Sequence, residues 1–328
     1  MTHSPLQFGI IGTGQIAKVF RKAVAALEEA CVSAVLSRTA ESGKKFAEEF
    51  AIPAYFSDPE EFFAQEFEAV YVAVPHSHHY EYVKAALEHG KHVLCEKPFT
   101  VNAKQAEELI ALAEEKGLFL MEAMWSRFLP AKKQALEWIR EGRIGKVQLI
   151  QSDFSCACPF TPGHRLFEPG LAGGALLDIG IYCVSLTASI LGNHPKKIQS
   201  HAVLAPTGVD QHGLITMEYE DGAMAICTSS LNFNGSLEAV IYGERGKIVL
   251  PKFYEAQEAL LFENGTDQPV ERFVQKHDHG FRYQILETVE CIRRGKTESA
   301  WMNHQDTVEV LQLCDAIRAQ MGVVYPGE

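Results

Sequence analysis

Phe8-Gly9-Ile10-Ile11-Gly12-Thr13-Gly14-Gln15-Ile16-Ala17, continued by Val19, Phe20, Ala23, Val24 and Leu27 at helical spacing, is the stretch on which the fold turns. A short apolar run ends in glycines and opens directly into an amphipathic pattern, the sequence form of a strand, a tight turn and a helix start. Gly12 permits the turn, Gly14 lets the backbone approach a pyrophosphate, and Ala17 is small enough for close helix–strand packing. Amides at such a helix start, reinforced by the helix dipole, face a phosphate. The turn reads as a dinucleotide site with Gly12, Thr13, Gly14, Gln15 and Ile16 as its contacts.

Strand and helix signals alternate outward from this turn. An apolar run at 32–36 is followed by a polar helix anchored by Phe46 and Phe50. Runs at 69–74, 92–95 and 118–121 are separated by helical patterns at 80–89 and after Asn102. This alternation predicts a Rossmann-type, doubly wound parallel sheet with helices on both faces, over residues 1–123. The pattern then changes. Alternating segments at 146–154, 196–204, 214–219 and 223–230, with a hairpin signal at Asp221-Gly222, continue through 237–242, 247–250 and 259–262. An apolar helix at 174–191 interrupts them, and helices near 281–294 and 304–321 close the chain. Residues 124–328 therefore read as an α+β domain with an open, mostly antiparallel sheet.

The 328 residues are 47% hydrophobic and 22% charged, with a formal net charge of −12. That composition excludes bulk disorder, and the acidic balance argues against nucleic acid or an anionic membrane as the main partner. No run of about 18 apolar residues predicts a membrane span. The start, Met1-Thr2-His3-Ser4-Pro5, lacks a leader pattern, so a cytoplasmic location is expected. The eight cysteines are scattered, with no CxxC, and read as reduced structural thiols.

Two further places carry chemistry. At the end of the second strand, an Asp or Glu would select NAD. This chain has Ser37-Arg38-Thr39 instead, with Lys44 and Lys45 beyond. Hydroxyls and a guanidinium suit a 2′-phosphate, so NADP is the preferred cofactor, with NAD the other choice; the bland reading of Arg38 is a solvated strand end. The second place is Pro75-His76-Ser77-His78-His79, then Glu96-Lys97-Pro98, both at strand C-termini. Three histidines in four residues have no carboxylate or cysteine spaced to complete a ligand set, so no metal is expected. A lysine at Lys97 can bond a substrate oxygen and shuttle its proton.

The GxGxxA turn, Pro75-x-x-x-His79 and Gly90-Lys91-His92-Val93-x-x-Glu96-Lys97-Pro98 occur in the order and at the spacing of one family. The chain resembles the glucose–fructose oxidoreductase / inositol dehydrogenase / MocA family, in its dimeric dihydrodiol and NADP-dependent xylose dehydrogenase branch. The segments at 93–98, 118–128 and 173–183 carry the branch resemblance, so it covers essentially the whole chain. The resemblance implies Lys97 as the catalytic-site lysine. It implies Asp178 and Tyr182 as its helix-borne partners, with Tyr182 standing where many members have His. Pro75, His76, His79 and Glu96 fall on its cofactor-side motifs. Either Lys97 or Tyr182 can be the immediate acid–base group.

Trp125, Phe154 and Arg165, with Asp178 and Tyr182, are the expected substrate residues; Phe128, Phe160 and Phe167 are further candidates. The Pro-rich segment 159–174 suits a substrate loop. The resemblance implies hydride transfer between a nicotinamide and a carbinol or anomeric carbon of a sugar, cyclic polyol or trans-dihydrodiol. A keto-sugar reductase and a non-catalytic dinucleotide-sensing regulator are the alternatives. It also implies a homodimer or higher oligomer through the second-domain sheet.

Overall fold

The structure, a computed structural model, describes residues 4–328. The chain gathers into two compact units. One runs to Trp125 and also takes Phe281–Val308; the other comprises Ser126–Gly280 and Glu309–Glu328. The contiguous division at 123/124 thus differs from the contacts at the C-terminal end. There α8 (Phe281–Arg293) packs on α1 (Gln15–Ala25), the Arg293 guanidinium donates to the Ser4 carbonyl at 2.9 Å, and Leu120 N donates to the Thr297 carbonyl at 3.0 Å.

The first unit holds a six-stranded parallel sheet of β1 (Leu6–Ile11), β2 (Ala30–Leu36), β3 (Ala54–Phe56), β4 (Ala69–Val72), β5 (His92–Glu96) and β6 (Leu120–Ala123). Their order is β3-β2-β1-β4-β5-β6, reversing direction of travel at β1. Phe8 and Ile10 of β1 are fully buried and so are all four residues of β4, the near-continuous apolar pattern of strands covered on both faces. Helices α2 (Ala40–Phe50), α3 (Pro59–Phe63), α4 (His79–Glu88) and α5 (Ala103–Lys116) connect them. Thr39, Asp58 and Asn102 cap α2, α3 and α5 by accepting first-turn amides, which fixes where each helix starts. The sequence reading lacked β3 and α3, because three- and five-residue elements are too short to show a period.

In the second unit, α6 (Pro130–Arg140) precedes β7 (Val147–Ser155), and α7 (Ile181–Leu191) precedes β8 (Lys197–Leu204). β9 (Asp210–Glu218), β10 (Met224–Ser230), β11 (Ala239–Gly243), β12 (Gly246–Leu250), β13 (Glu258–Glu263) and β14 (Glu271–Val274) complete an eight-stranded sheet ordered β14-β13-β12-β11-β7-β10-β9-β8. Only β7 and β10 pair in parallel. One register row runs Met217, Ala225, Ile150, Ile241, Ile248, Leu261, every residue buried under the face that α6 and α7 cover. The adjacent row, with Ile226, Val240 and Leu260, faces the other way and is half-buried.

The expected single helix at 174–191 is two pieces. A wide π-type turn at Leu176–Gly180 leads into α7. The stretch Pro169–Leu191 is apolar enough to span a membrane, with mean hydropathy 1.7, but its apolar window is 83% buried, as befits a core helix. β14 escaped the sequence reading because its Glu-Arg-Phe-Val is a charged, exposed edge strand.

Candidate functional site

Gly12 follows β1 with φ +106°, and a Cβ there would lie 2.3 Å from the Ala73 carbonyl oxygen, so only glycine fits. A Cβ on Gly14 would meet nothing within 4 Å: the backbone opens onto free space. No side chain caps α1 and its first turn carries no acidic residue, which leaves the helix start available to an anion. Gly14 and Gln15 are exposed, and Thr13 and Ile16 half-buried, beside it. This cradle fits a pyrophosphate.

The end of β2 carries a chain of hydroxyls. Thr13 Oγ1 is 3.4 Å from Ser37 Oγ, Ser37 Oγ is 2.5 Å from Ser42 Oγ, and Ser42 Oγ is 2.8 Å from Thr39 Oγ1. Arg38 is exposed beside them. Four hydroxyls and a guanidinium, with no carboxylate among them, fit a phosphate ester. Ser42 has no place in the sequence expectation, which stops at Ser37-Arg38-Thr39; its spacing three residues after the helix cap Thr39 was its signal. Lys44 is instead paired on the surface with Glu48 at 3.8 Å.

The two following strand ends are tied together from within. His79 is fully buried, with Nδ1 2.8 Å from the Pro98 carbonyl and Nε2 3.0 Å from the Val74 carbonyl. Burial holds its pKa down at about 4, against the pull of those carbonyls. A neutral ring has one N–H, so it donates to one carbonyl at a time. His79 therefore reaches backbone where the sequence expectation placed it against cofactor: it sets the loops that carry Pro75, His76 and Lys97. His76, 6% exposed, lies edge-on to His79 with ring centroids 5.8 Å apart, while His78 turns outward to Glu81 at 3.0 Å.

Glu96 is buried at the end of β5 and accepts from the Tyr71 hydroxyl and, at 3.3 Å, from Lys97 N. Tyr71 in turn stacks on Phe20 of α1, with centroids 3.7 Å apart. Glu122 accepts from Phe99 N at 3.1 Å on the far side of a cis Lys97–Pro98 peptide. Lys97 thus projects, half-buried, from a turn braced by two buried carboxylates. Neither Tyr71 nor Glu122 was legible as a brace, because both read as ordinary strand residues.

The second unit assembles its own cluster. Arg165 Nη1 donates to Asp178 Oδ1 at 3.0 Å. Tyr182, four residues on, lies 5.4 Å centroid to centroid from Phe154, and Phe154 stacks on Tyr254 at 4.1 Å. Burial raises the Tyr254 phenol to about 12. Phe154, Asp178 and Tyr182 are 6–8% exposed, whereas the Arg165 side chain is half exposed. Tyr254, about a hundred residues from Phe154, had no local signal. Trp125 belongs to the first unit, packed against Phe281 at 5.3 Å. Phe128 and Phe167, at 1% exposure, are core residues, and only Phe160 of the further aromatic candidates is exposed.

Comparison with known proteins matches both units. Residues 6–124 fit the family model GFO/IDH/MocA, described as an oxidoreductase family with an NAD-binding Rossmann fold, and residues 133–249 fit the GFO/IDH/MocA C-terminal domain. The chain is 34% identical to a trans-1,2-dihydrobenzene-1,2-diol dehydrogenase of Danio rerio, covering 98% of each. It is 33% identical to the NADP-dependent scyllo-inositol 2-dehydrogenase IolU of Bacillus subtilis, covering 98% of this chain and 99% of that one. Among solved structures, the 3-ketoreductase KijD10 of Actinomadura kijaniata, crystallised with NADP and TDP-benzene, aligns with a TM-score of 0.85 at 26% identity, over 97% of this chain and 98% of that one.

Proposed function

The chain belongs to the GFO/IDH/MocA oxidoreductase family, and from that premise we propose that it moves hydride reversibly between NADP and a ring carbinol of a sugar, inositol or dihydrodiol. One pair of observations carries the substrate class: an Arg165–Asp178 ion pair, and a cluster of the Phe154, Tyr182 and Tyr254 rings whose Tyr182 follows Asp178 by four residues. Aromatic faces suit the C–H face of a hydroxylated ring, and a paired carboxylate suits its hydroxyl edge.

The glycine turn Gly12–Gly14, with Thr13, Gln15 and Ile16, would hold the pyrophosphate; Ser37, Thr39 and Ser42 with Arg38 would hold the 2′-phosphate. Pro75, His76, Glu96 and Lys97 form the strand-end loops on the nicotinamide side. The bound dinucleotide supplies the hydride acceptor or donor. In this reading Lys97 is the catalytic lysine, Tyr182 the proton-exchanging group, and Asp178 the residue that orients hydroxyls. A phenol is a poor base at neutral pH unaided, so Tyr182 depends on its surroundings for this role.

Keto-sugar reduction is the same chemistry run backwards, and the KijD10 likeness favours keeping it as the second reading. A regulator without turnover has no need of Lys97 and Tyr182. The half-buried apolar face bearing Ile226, Val240 and Leu260, with exposed Leu214 and Met224, supports pairing of two copies through this sheet. Eight free cysteines fit a reducing compartment, the cytoplasm.

The test is a screen of NADPH formation over aldoses, inositols and trans-dihydrodiols, with Lys97→Met as control. Turnover of at least one class that Lys97→Met abolishes supports the reading. NADP binding without turnover of any class, or of any keto-sugar in reverse, overturns it in favour of a sensor.

A further inference from the structure

The helical stretch carrying Asp178 and Tyr182 starts in the interior of the second unit, where water cannot satisfy its first amides. A carboxylate from another part of the chain meets them. Asp210, the first residue of β9 and 0% exposed, accepts from Leu176 N at 2.6 Å. Gly174 precedes them with φ +119°, and a Cβ there would lie 2.2 Å from Asp210 Oδ1. The side chain missing from Gly174 is the room Asp210 occupies.

The C-terminal segment closes on the same point. The Tyr325 hydroxyl donates to the Gly173 carbonyl at 2.6 Å. The Arg318 guanidinium sits 4.8 Å over the Tyr325 ring and pairs with Asp315 and Glu328. Residues 173–176 are thereby gripped from β9 and from α9 (His304–Met321) with its tail, one turn before Asp178.

We propose that Asp210 is a positioning residue for the reaction, anchoring the Leu176 amide so that the turn after it aims Asp178 and Tyr182. This rests on the roles given above to those two residues. Asp210 itself touches neither substrate nor cofactor: its carboxylate is closed off in the core, and its effect passes through the helix start.

The experiment compares Asp210→Ala, which removes the acceptor, with Asp210→Asn, which keeps one. Amide hydrogen exchange of the peptide spanning 175–182, NADP affinity and steady-state kinetics are read for each. Asp210→Ala is expected to speed exchange and lower kcat by roughly 5- to 150-fold, the cost of leaving a buried donor unsatisfied, with NADP affinity unchanged. Asp210→Asn is expected to restore both to within about threefold, because its amide oxygen takes the place of Oδ2. Should Asp210→Ala not fold, Tyr325→Phe removes the second grip and is expected to give a several-fold change of the same kind.

Exchange and kcat at the wild-type level in Asp210→Ala overturn the proposal, and so does fast exchange with unchanged kcat. If the wild type turns over no substrate, the functional reading fails separately. The exchange measurement then still decides the anchor, and unchanged exchange removes it.

Discussion

His79 and Pro98 are joined inside the first unit, ring Nδ1 to carbonyl oxygen at 2.8 Å, while the other ring nitrogen faces Val74. One buried ring links the ends of β4 and β5, and with them the loops bearing His76 and Lys97. The side-chain amide of Asn places its nitrogen near Nδ1, and that of Gln near Nε2. His79→Asn keeps the link to Pro98, and His79→Gln keeps the link to Val74. Lys97 precedes Pro98, so Gln should lower kcat more than Asn. His79→Ala can donate to neither carbonyl and leaves a cavity, costing ~2–4 kcal/mol of stability. Equal kcat in all three variants contradicts the clamp.

Two buried groups give pH signatures of opposite sign. His79 titrates near about 4 when folded, below the ordinary ~6.5 of an unfolded histidine. The unfolded chain binds the proton first, so stability from this group is lost as pH falls from about 6.5 towards 4. Burial raises Asp210 to about 7, above the ordinary ~3.9. Here the folded chain keeps the proton longer, so its contribution is full at low pH and lost as pH rises to about 7. The melting temperature of Asp210→Asn relative to wild type should therefore climb between pH 4 and 7. That of His79→Gln should climb as pH falls across the same window. Curves parallel to wild type contradict both assignments.

The proposed 2′-phosphate site makes cofactor choice depend on Arg38 and the hydroxyls around it. Arg38→Ala should weaken NADP roughly 10- to 150-fold, as for a lost charged contact, and leave NAD nearly unchanged. Ser42→Ala, removing one neutral hydroxyl, should cost NADP several-fold. Fluorescence titration of both cofactors reads this. Equal losses for the two, or a wild-type preference for NAD, contradict the 2′-phosphate site.

The first unit was legible because its signals are local. Gly12, Gly14 and Ala17 lie within six residues, and the apolar run of β4 needs no partner to be read. Thr39 was legible beside Ser37 and Arg38, whereas Ser42 was not, since only the fold sets its hydroxyl between those of Ser37 and Thr39. Lys97 is singled out by its place at a strand end and by the family resemblance, Asp178 and Tyr182 by the resemblance alone; periodicity marks none of them. Tyr254, Tyr71 and Asp210 stayed hidden because their roles lie in contacts across 25 to about a hundred residues, with partners no spacing rule connects. His79 shows the opposite case: a motif residue whose ring is spent on backbone. The return of Phe281–Val308 to the first unit had no sequence mark either, since α8 looks like any amphipathic helix until α1 is placed against it.

Tyr182→Phe removes only the hydroxyl, within an aromatic cluster that tolerates Phe by shape. It should lower kcat by ~10²–10⁴-fold, the usual worth of a general acid–base group, with NADP affinity retained. On the roles proposed above, Lys97→Met should also lower kcat. Near-wild-type turnover in Tyr182→Phe beside an inactive Lys97→Met would reverse the two roles.

Hydride transfer itself is read most directly by isotope. The substrate found in the screen is prepared with deuterium on the carbinol carbon and turned over with NADP. One deuterium per turnover is expected at C4 of the NADPH nicotinamide, in a single stereochemical position, with a slowed rate for the labelled substrate where transfer is rate-limiting. Deuterium released to solvent, or retained in product while no NADPH forms, would contradict it.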